Sequence, residues 1–108
     1  MAVTKIIDPI IIDSLISRCK FALLLTEKCG GDVIKLADTL FEDASDRFPD
    51  IQFYSIDADI HIALAERFGV KATPACLLFD GRGLYSEYTG AFSYDELNSL
   101  LTKFHLST

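Results

Sequence analysis

The sequence predicts an α/β fold: a mixed four-stranded sheet, with a parallel core and a C-terminal hairpin, and helices on both faces. Three observations predict it. Helical and strand patterns alternate through most of the chain, an order that builds parallel strand pairs. Phe21 to Leu25 is an unbroken apolar run of strand length, the mark of a strand buried on both faces. Asp80-Gly81-Arg82-Gly83 separates two strand patterns at hairpin distance.

The elements follow in order. Asp8-Pro9 reads as a helix start, with Asp as cap and Pro in the first turn, where a missing N–H costs nothing. Ile10 to Arg18 is the first helix; Ile11, Leu15 and Arg18 share one face, with Ile12 and Ile16 beside it. Lys20 to Thr26 is the central strand. After a loop at Cys29, Asp32 caps a helix that runs to Phe48, where Pro49-Asp50 stops it. Val33, Ala37, Leu40, Phe41, Ala44 and Phe48 recur at helical spacing on it. Ile51 to Ile56 is the second strand, rich in β-favouring side chains.

Asp57-Ala58-Asp59 opens a third helix, Ile60 to Phe68, with Ile60, Leu64 and Phe68 on one face and Gly69 at its end. Val70 to Thr73 crosses to Pro74. Ala75 to Phe79 and Leu84 to Thr89 form the hairpin, and Gly90-Ala91 ends it. Ser93-Tyr94-Asp95-Glu96 is a capping box for a last helix to about His105, with Leu97, Leu100, Leu101 and Phe104 inward.

Bulk properties exclude several classes. The 108 residues fit one domain, 1–108; 50% are hydrophobic and 24% charged, as in a soluble globular protein. The net charge is −6 with no run of lysine or arginine, which argues against nucleic acid and anionic membranes as partners. No apolar run reaches membrane-spanning length, and Asp8, Pro9 and Asp13 break any signal-peptide pattern. Cys19, Cys29 and Cys76 lack metal-ligand spacing, so free thiols in a reducing cytoplasm are expected. His61 and His105 have no partner at ligand spacing; neither a metal nor another cofactor is expected.

The chemistry centres on Cys29-Gly30-Gly31-Asp32. A thiol between a strand and a helix start meets free N–H groups and a partial positive charge, which favour the thiolate; Lys28 adds to this. Asp32 opposes it, raising the thiol pKa and competing for the same donors. Cys29 is thus either a reactive thiol or a relic, and Asp32 either a helix cap or a proton relay to Cys29. Cys76 reads as a small buried hydrophobe and Cys19 as inert. Asp57 and Asp59 fit corner caps better than a carboxylate pair. Tyr85, Tyr88, Phe92 and Tyr94 make either cross-strand packing or a partner-binding face.

Taken together the chain resembles the thioredoxin fold over nearly its whole length. Cys29-Gly30-Gly31 ends a buried strand where that family has Trp-Cys-Gly-Pro-Cys, and Asp57-Ala58-Asp59 stands at its acidic strand end. Phe68 through Phe79 is similar to the segment holding the family's cis-proline, and Asp80-Gly81 and Thr89-Gly90-Ala91 fall at its turn and glycine positions. The resemblance implies a cis Thr73–Pro74 bond beside Cys29. It also implies a peptide groove at Thr73, Pro74, Gly90 and Ala91, joined by Gly30 and Gly31, where bare backbone lets another chain approach.

The departures bear on function. Asp32 replaces the resolving cysteine and Gly31 the proline; Leu25 and Lys28 replace tryptophans, and Leu23 a buried aspartate that assists proton transfer. The expected activity is single-thiol redox chemistry, with Cys29 forming a mixed disulfide that an external thiol resolves. It would serve cell redox homeostasis on protein or peptide substrates in the groove beside Pro74, with glutathione as a further candidate. Efficient dithiol reduction is not expected. The alternatives are a non-catalytic thioredoxin-fold chaperone or peptide-binding module, similar to hydrogenase-maturation chaperones, and an interaction subunit that binds through an outer helix face.

Overall fold

The computed structural model describes residues 3–27 and 30–106. Its centre is the strand Lys20–Thr26, whose side chains alternate between two cores. Phe21, Leu23 and Leu25 point to one face, Ala22 and Leu24 to the other, and all are fully buried. That is why the run carries no polar residue between Phe21 and Leu25.

Nine elements are described: β1 (Val3–Lys5), α1 (Ile10–Ile16), β2 (Lys20–Thr26), α2 (Gly31–Arg47), β3 (Gln52–Asp57), α3 (Ile62–Arg67), β4 (Ala75–Asp80), β5 (Leu84–Thr89) and α4 (Tyr94–Leu106). The sheet order is β1-β3-β2-β4-β5. β1, β3 and β2 run parallel; β4 is antiparallel to β2, and β5 to β4. Ile12 and Leu15 of α1 and Leu64 of α3 pack on one face against Phe21, Leu23, Ile56, Leu77 and Phe79. Ala37, Phe41 and Ala44 of α2 and Leu97, Leu101 and Phe104 of α4 cover the other.

The sheet corrects the expected strand count: it has five strands among the described residues, not four. The additional one, β1, is three residues long and pairs Val3, Thr4 and Lys5 with Phe53, Tyr54 and Ser55. Three residues carry too little alternation to stand out in a sequence. Helix faces shift as well. Val33 is 52% exposed and Ile34, at 7%, is buried in its place. The first helix stops at Ile16, with Ile11 outward. The third begins at Ile62, leaving Ile60 exposed before it.

Local signals hold where a side chain closes its own turn. The Asp8 carboxylate accepts the Ile10 N–H at 3.1 Å, although the cap position of α1 falls at Pro9 rather than at the expected Asp8. Ser93 Oγ accepts the Glu96 N–H at 3.1 Å while Glu96 Oε1 accepts the Ser93 N–H at 2.9 Å, a complete capping box. Gly69, at φ +70°, ends α3. Among the described residues no helix is long and apolar enough to cross a membrane.

Candidate functional site

The candidate site lies at the C-terminal ends of β2 and β3, where parallel strands leave a crevice beside a helix start. Thr26 ends β2, buried, and its Oγ1 donates to Asp57 Oδ1 at 3.2 Å. Its carbonyl accepts the Ala58 N–H at 2.7 Å, which pins the ends of β2 and β3 together. The chain then leaves the sheet at Glu27. Lys28 and Cys29 lie outside the described residues; their sequence neighbours Glu27 and Gly30 lie within them. Those neighbours are joined: the Gly30 N–H donates to the Glu27 carbonyl at 3.3 Å, and α2 begins at Gly31.

Gly31 is demanded by the backbone and Gly30 by the Ile34 side chain. Gly31 has φ +73°, which a proline ring, locked near about −65°, cannot adopt. A Cβ on Gly30 would stand 2.0 Å from Ile34 Cγ1. The expected cap is corrected: Gly30 occupies the cap position of α2 and Asp32 lies inside the first turn, exposed. A carboxylate there complements the helix dipole without closing the turn.

The opposite wall is the start of β4. The Thr73–Pro74 peptide is cis and Pro74 is buried. Thr73 Oγ1 donates to Glu27 Oε1, tying this segment to the residue that leads out of β2. The Gly90 N–H donates to the Pro74 carbonyl at 2.8 Å, which brings the end of β5 to the same place. A Cβ on Gly90 would meet nothing within 4 Å, so its backbone faces open space, and Ala91 is exposed next to it. The structure therefore joins Gly30 through Glu27 to Thr73 and Pro74, and Pro74 to Gly90. Among the described residues, no hydrogen bond or ion pair links Asp32 to that set.

Two groups at the site were not expected from sequence. Lys5 Nζ lies 2.7 Å from Asp57 Oδ1, and with Thr26, Glu27, Gly30 and Asp38 it lines a cleft of about 350 Å³ beside the loop. Burial pushes the Asp38 carboxyl up, Lys5 pulls it down, and Asp57 and Glu42 push it further up. The sequence signal for Lys5 is the β-favouring Val3-Thr4 before it, too short to weigh. The Asp57 carboxylate holds Lys5 and the Thr26 hydroxyl.

The remaining thiols are far from the loop or enclosed. Cys76 is fully buried under Phe92 and Leu97, and burial pushes its thiol up to about 12. Cys19 precedes β2 and is half-buried; burial raises its pKa and Arg18 lowers it. The length of β2, roughly 20 Å at 3.3 Å per residue, separates it from Thr26. Of the aromatic residues grouped in the sequence, only Tyr88 and Phe92 make a ring contact with each other among the described residues. Tyr85 packs on Phe104, Tyr88 on Phe92, and Tyr94 lies under the Arg47 guanidinium. No cluster of three or more His, Cys, Asp or Glu among the described residues is placed to hold a metal ion.

Comparison with known proteins agrees with this architecture. No curated protein sequence matches the chain significantly. Similar folds include the oxidised thioredoxin of Plasmodium falciparum (TM-score 0.84, 18% identity, covering 95% of this chain and 98% of that one). A mutant thioredoxin from Halobacterium salinarum superposes at TM-score 0.85 with 19% identity over 98% and 93% of the two chains. The thioredoxin NaTrxh of Nicotiana alata gives 0.82 with 22% identity over 95% and 92%. The family model described as Thioredoxin matches residues 27–103, from the loop at Cys29 through the cis-proline and into α4. With that match spanning both walls of the site, the chain belongs to the thioredoxin family.

Proposed function

We propose that this chain carries out single-thiol disulfide exchange through Cys29. The Cys29 thiolate attacks one sulfur of a substrate disulfide. A new S–S bond forms to Cys29, and the other substrate sulfur leaves as a thiolate that takes up a proton. An external thiol, such as glutathione, then attacks the mixed disulfide, frees the Cys29 thiolate and keeps the remaining substrate sulfur in a new disulfide.

The observation that carries this reading is the placement of the other two thiols. A disulfide needs Cα atoms within about 7 Å. Cys19 lies at the far end of β2 from the loop, and Cys76 is sealed in the core below the sheet. By the resemblance, Asp32 would stand where a second thiol resolves the intermediate internally. The open backbone at Thr73, Pro74, Gly90 and Ala91 supports an extended peptide as the disulfide donor, in a reducing compartment such as the cytoplasm.

A second reading, a peptide-binding module without redox turnover, is favoured by the two carboxylates near Cys29, Glu27 and Asp32, which disfavour a thiolate. One experiment separates the two. The Cys29 pKa is measured from its alkylation rate against pH, and insulin reduction is assayed with and without glutathione. A depressed pKa, a mixed disulfide trapped on Cys29 and turnover only with glutathione are expected; Cys29→Ser removes all three. A pKa near the free-thiol value of about 8.5, with no turnover in either condition, supports the binding module instead.

A further inference from the structure

We infer that the groove between α1 and α3 docks an amphipathic helix of a partner protein, one that carries aliphatic anchors beside a lysine or arginine. The groove encloses about 480 Å³ and shares no lining residue with the cleft beside the Cys29 loop. Its rim is isoleucine: Ile10 is 71% exposed, Ile60 57% and Ile62 61%, over a floor at Leu64. Isolated apolar residues on a surface need no explanation, but several converging on one concave face mark an interaction site.

The shape selects a helix. α1 has seven residues and α3 six, so each wall is roughly 10 Å long at 1.5 Å per residue. That is about two helical turns, the spacing of anchors at i, i+3 or i+4, and i+7.

The charges select a basic partner. Asp13 and Arg67, on opposite walls, pair at 2.6 Å and offset each other. Asp8, at the mouth, has no cation paired with it among the described residues; its Oδ1 holds the Ile10 N–H. With His61 of the lining counted as neutral, as in the chain's formal charge of −6, the groove presents a net carboxylate. A second copy would bring Asp8 and the same negative field against themselves, which disfavours self-association here.

The test uses the full chain and a helix-forming probe peptide with leucines at i, i+3, i+4 and i+7 flanked by lysines. Counterparts carry glutamates for the lysines, or a central proline. Titration is followed by backbone amide chemical shifts. Saturable shifts confined to residues 7–13 and 60–67 are expected for the lysine peptide only. Ile10→Glu with Ile62→Glu, both at exposed positions, weakens binding by about tenfold or more. Asp8→Asn weakens it by roughly threefold and flattens its salt dependence. Circular dichroism confirms that the variants fold. Cys29→Ser leaves binding unchanged, so this proposal and the thiol reading fail separately. Equal binding of the glutamate peptide, shifts centred on Thr73 and Gly90, or self-association through this face would overturn it.

Discussion

Lys5 Nζ and Asp57 Oδ1 meet at 2.7 Å across the β1–β3 pair, so the shortest strand supplies a cation to the rim of the candidate site. The Asp57 side chain is 13% exposed and also accepts the Thr26 hydroxyl, whereas Lys5 is 53% exposed and well solvated. Replacing Lys5 with Met keeps most of the apolar stem but removes this ion pair. Solvent screening reduces the loss to about 1 kcal/mol. Urea denaturation should show a lower midpoint at unchanged slope, with Lys5→Arg close to the parent chain. An unchanged midpoint for Lys5→Met would show that the pair contributes nothing to stability.

Gly30 and Ile34 are in contact at the start of α2. A Cβ at Gly30 would fall 2.0 Å from Ile34 Cγ1 and 2.9 Å from Ile34 Cβ, while Ile34 itself is buried. Gly30→Ala should destabilise the fold by about 2 kcal/mol through overpacking. Ile34→Ala alone should cost about 2–4 kcal/mol through the space it leaves. The double variant should cost less than the sum by at least about 1 kcal/mol, because each change relieves the other. Strict additivity in this cycle would mean that Ile34 does not constrain the residue beside Cys29.

Burial of Cys76 should appear in the pH dependence of stability. Its folded thiol is pushed up to about 12, while an unfolded thiol ionises near about 8.5. Above that lower value the unfolded chain releases a proton that the folded chain retains. Stability fully present below pH ~8.5 is then lost as pH rises, by about 1.4 kcal/mol per unit, until the folded thiol ionises. Against Cys76→Ala, the parent chain should lose about 2 kcal/mol more between roughly pH 7 and 10. Parallel pH profiles for the two chains would contradict the enclosed thiol.

The layering and the local closures are legible in the residues alone. Phe21 to Leu25, buried on both faces, made the central strand readable because every side chain meets a core. Ser93 and Glu96 were readable because the bonds they make span only three residues. Asp8 was readable for the same reason. The absence of a second cysteine within three residues of Cys29 is equally plain in the sequence.

The remaining features come from packing between distant parts of the chain. β1 became a strand because β3 offered it an edge, and three residues have no period of their own. Val33 and Ile34 are equally apolar; packing on the sheet chose Ile34. Gly31 carries the positive φ with which the chain enters α2, a conformation fixed by the geometry of the whole loop. Above all, Glu27 meets Thr73, and Pro74 meets Gly90, across many intervening residues. Such contacts leave no spacing in a sequence. They arise when β2, β4 and β5 pair and carry their ends to one point, and that pairing is driven by burial of the whole sheet.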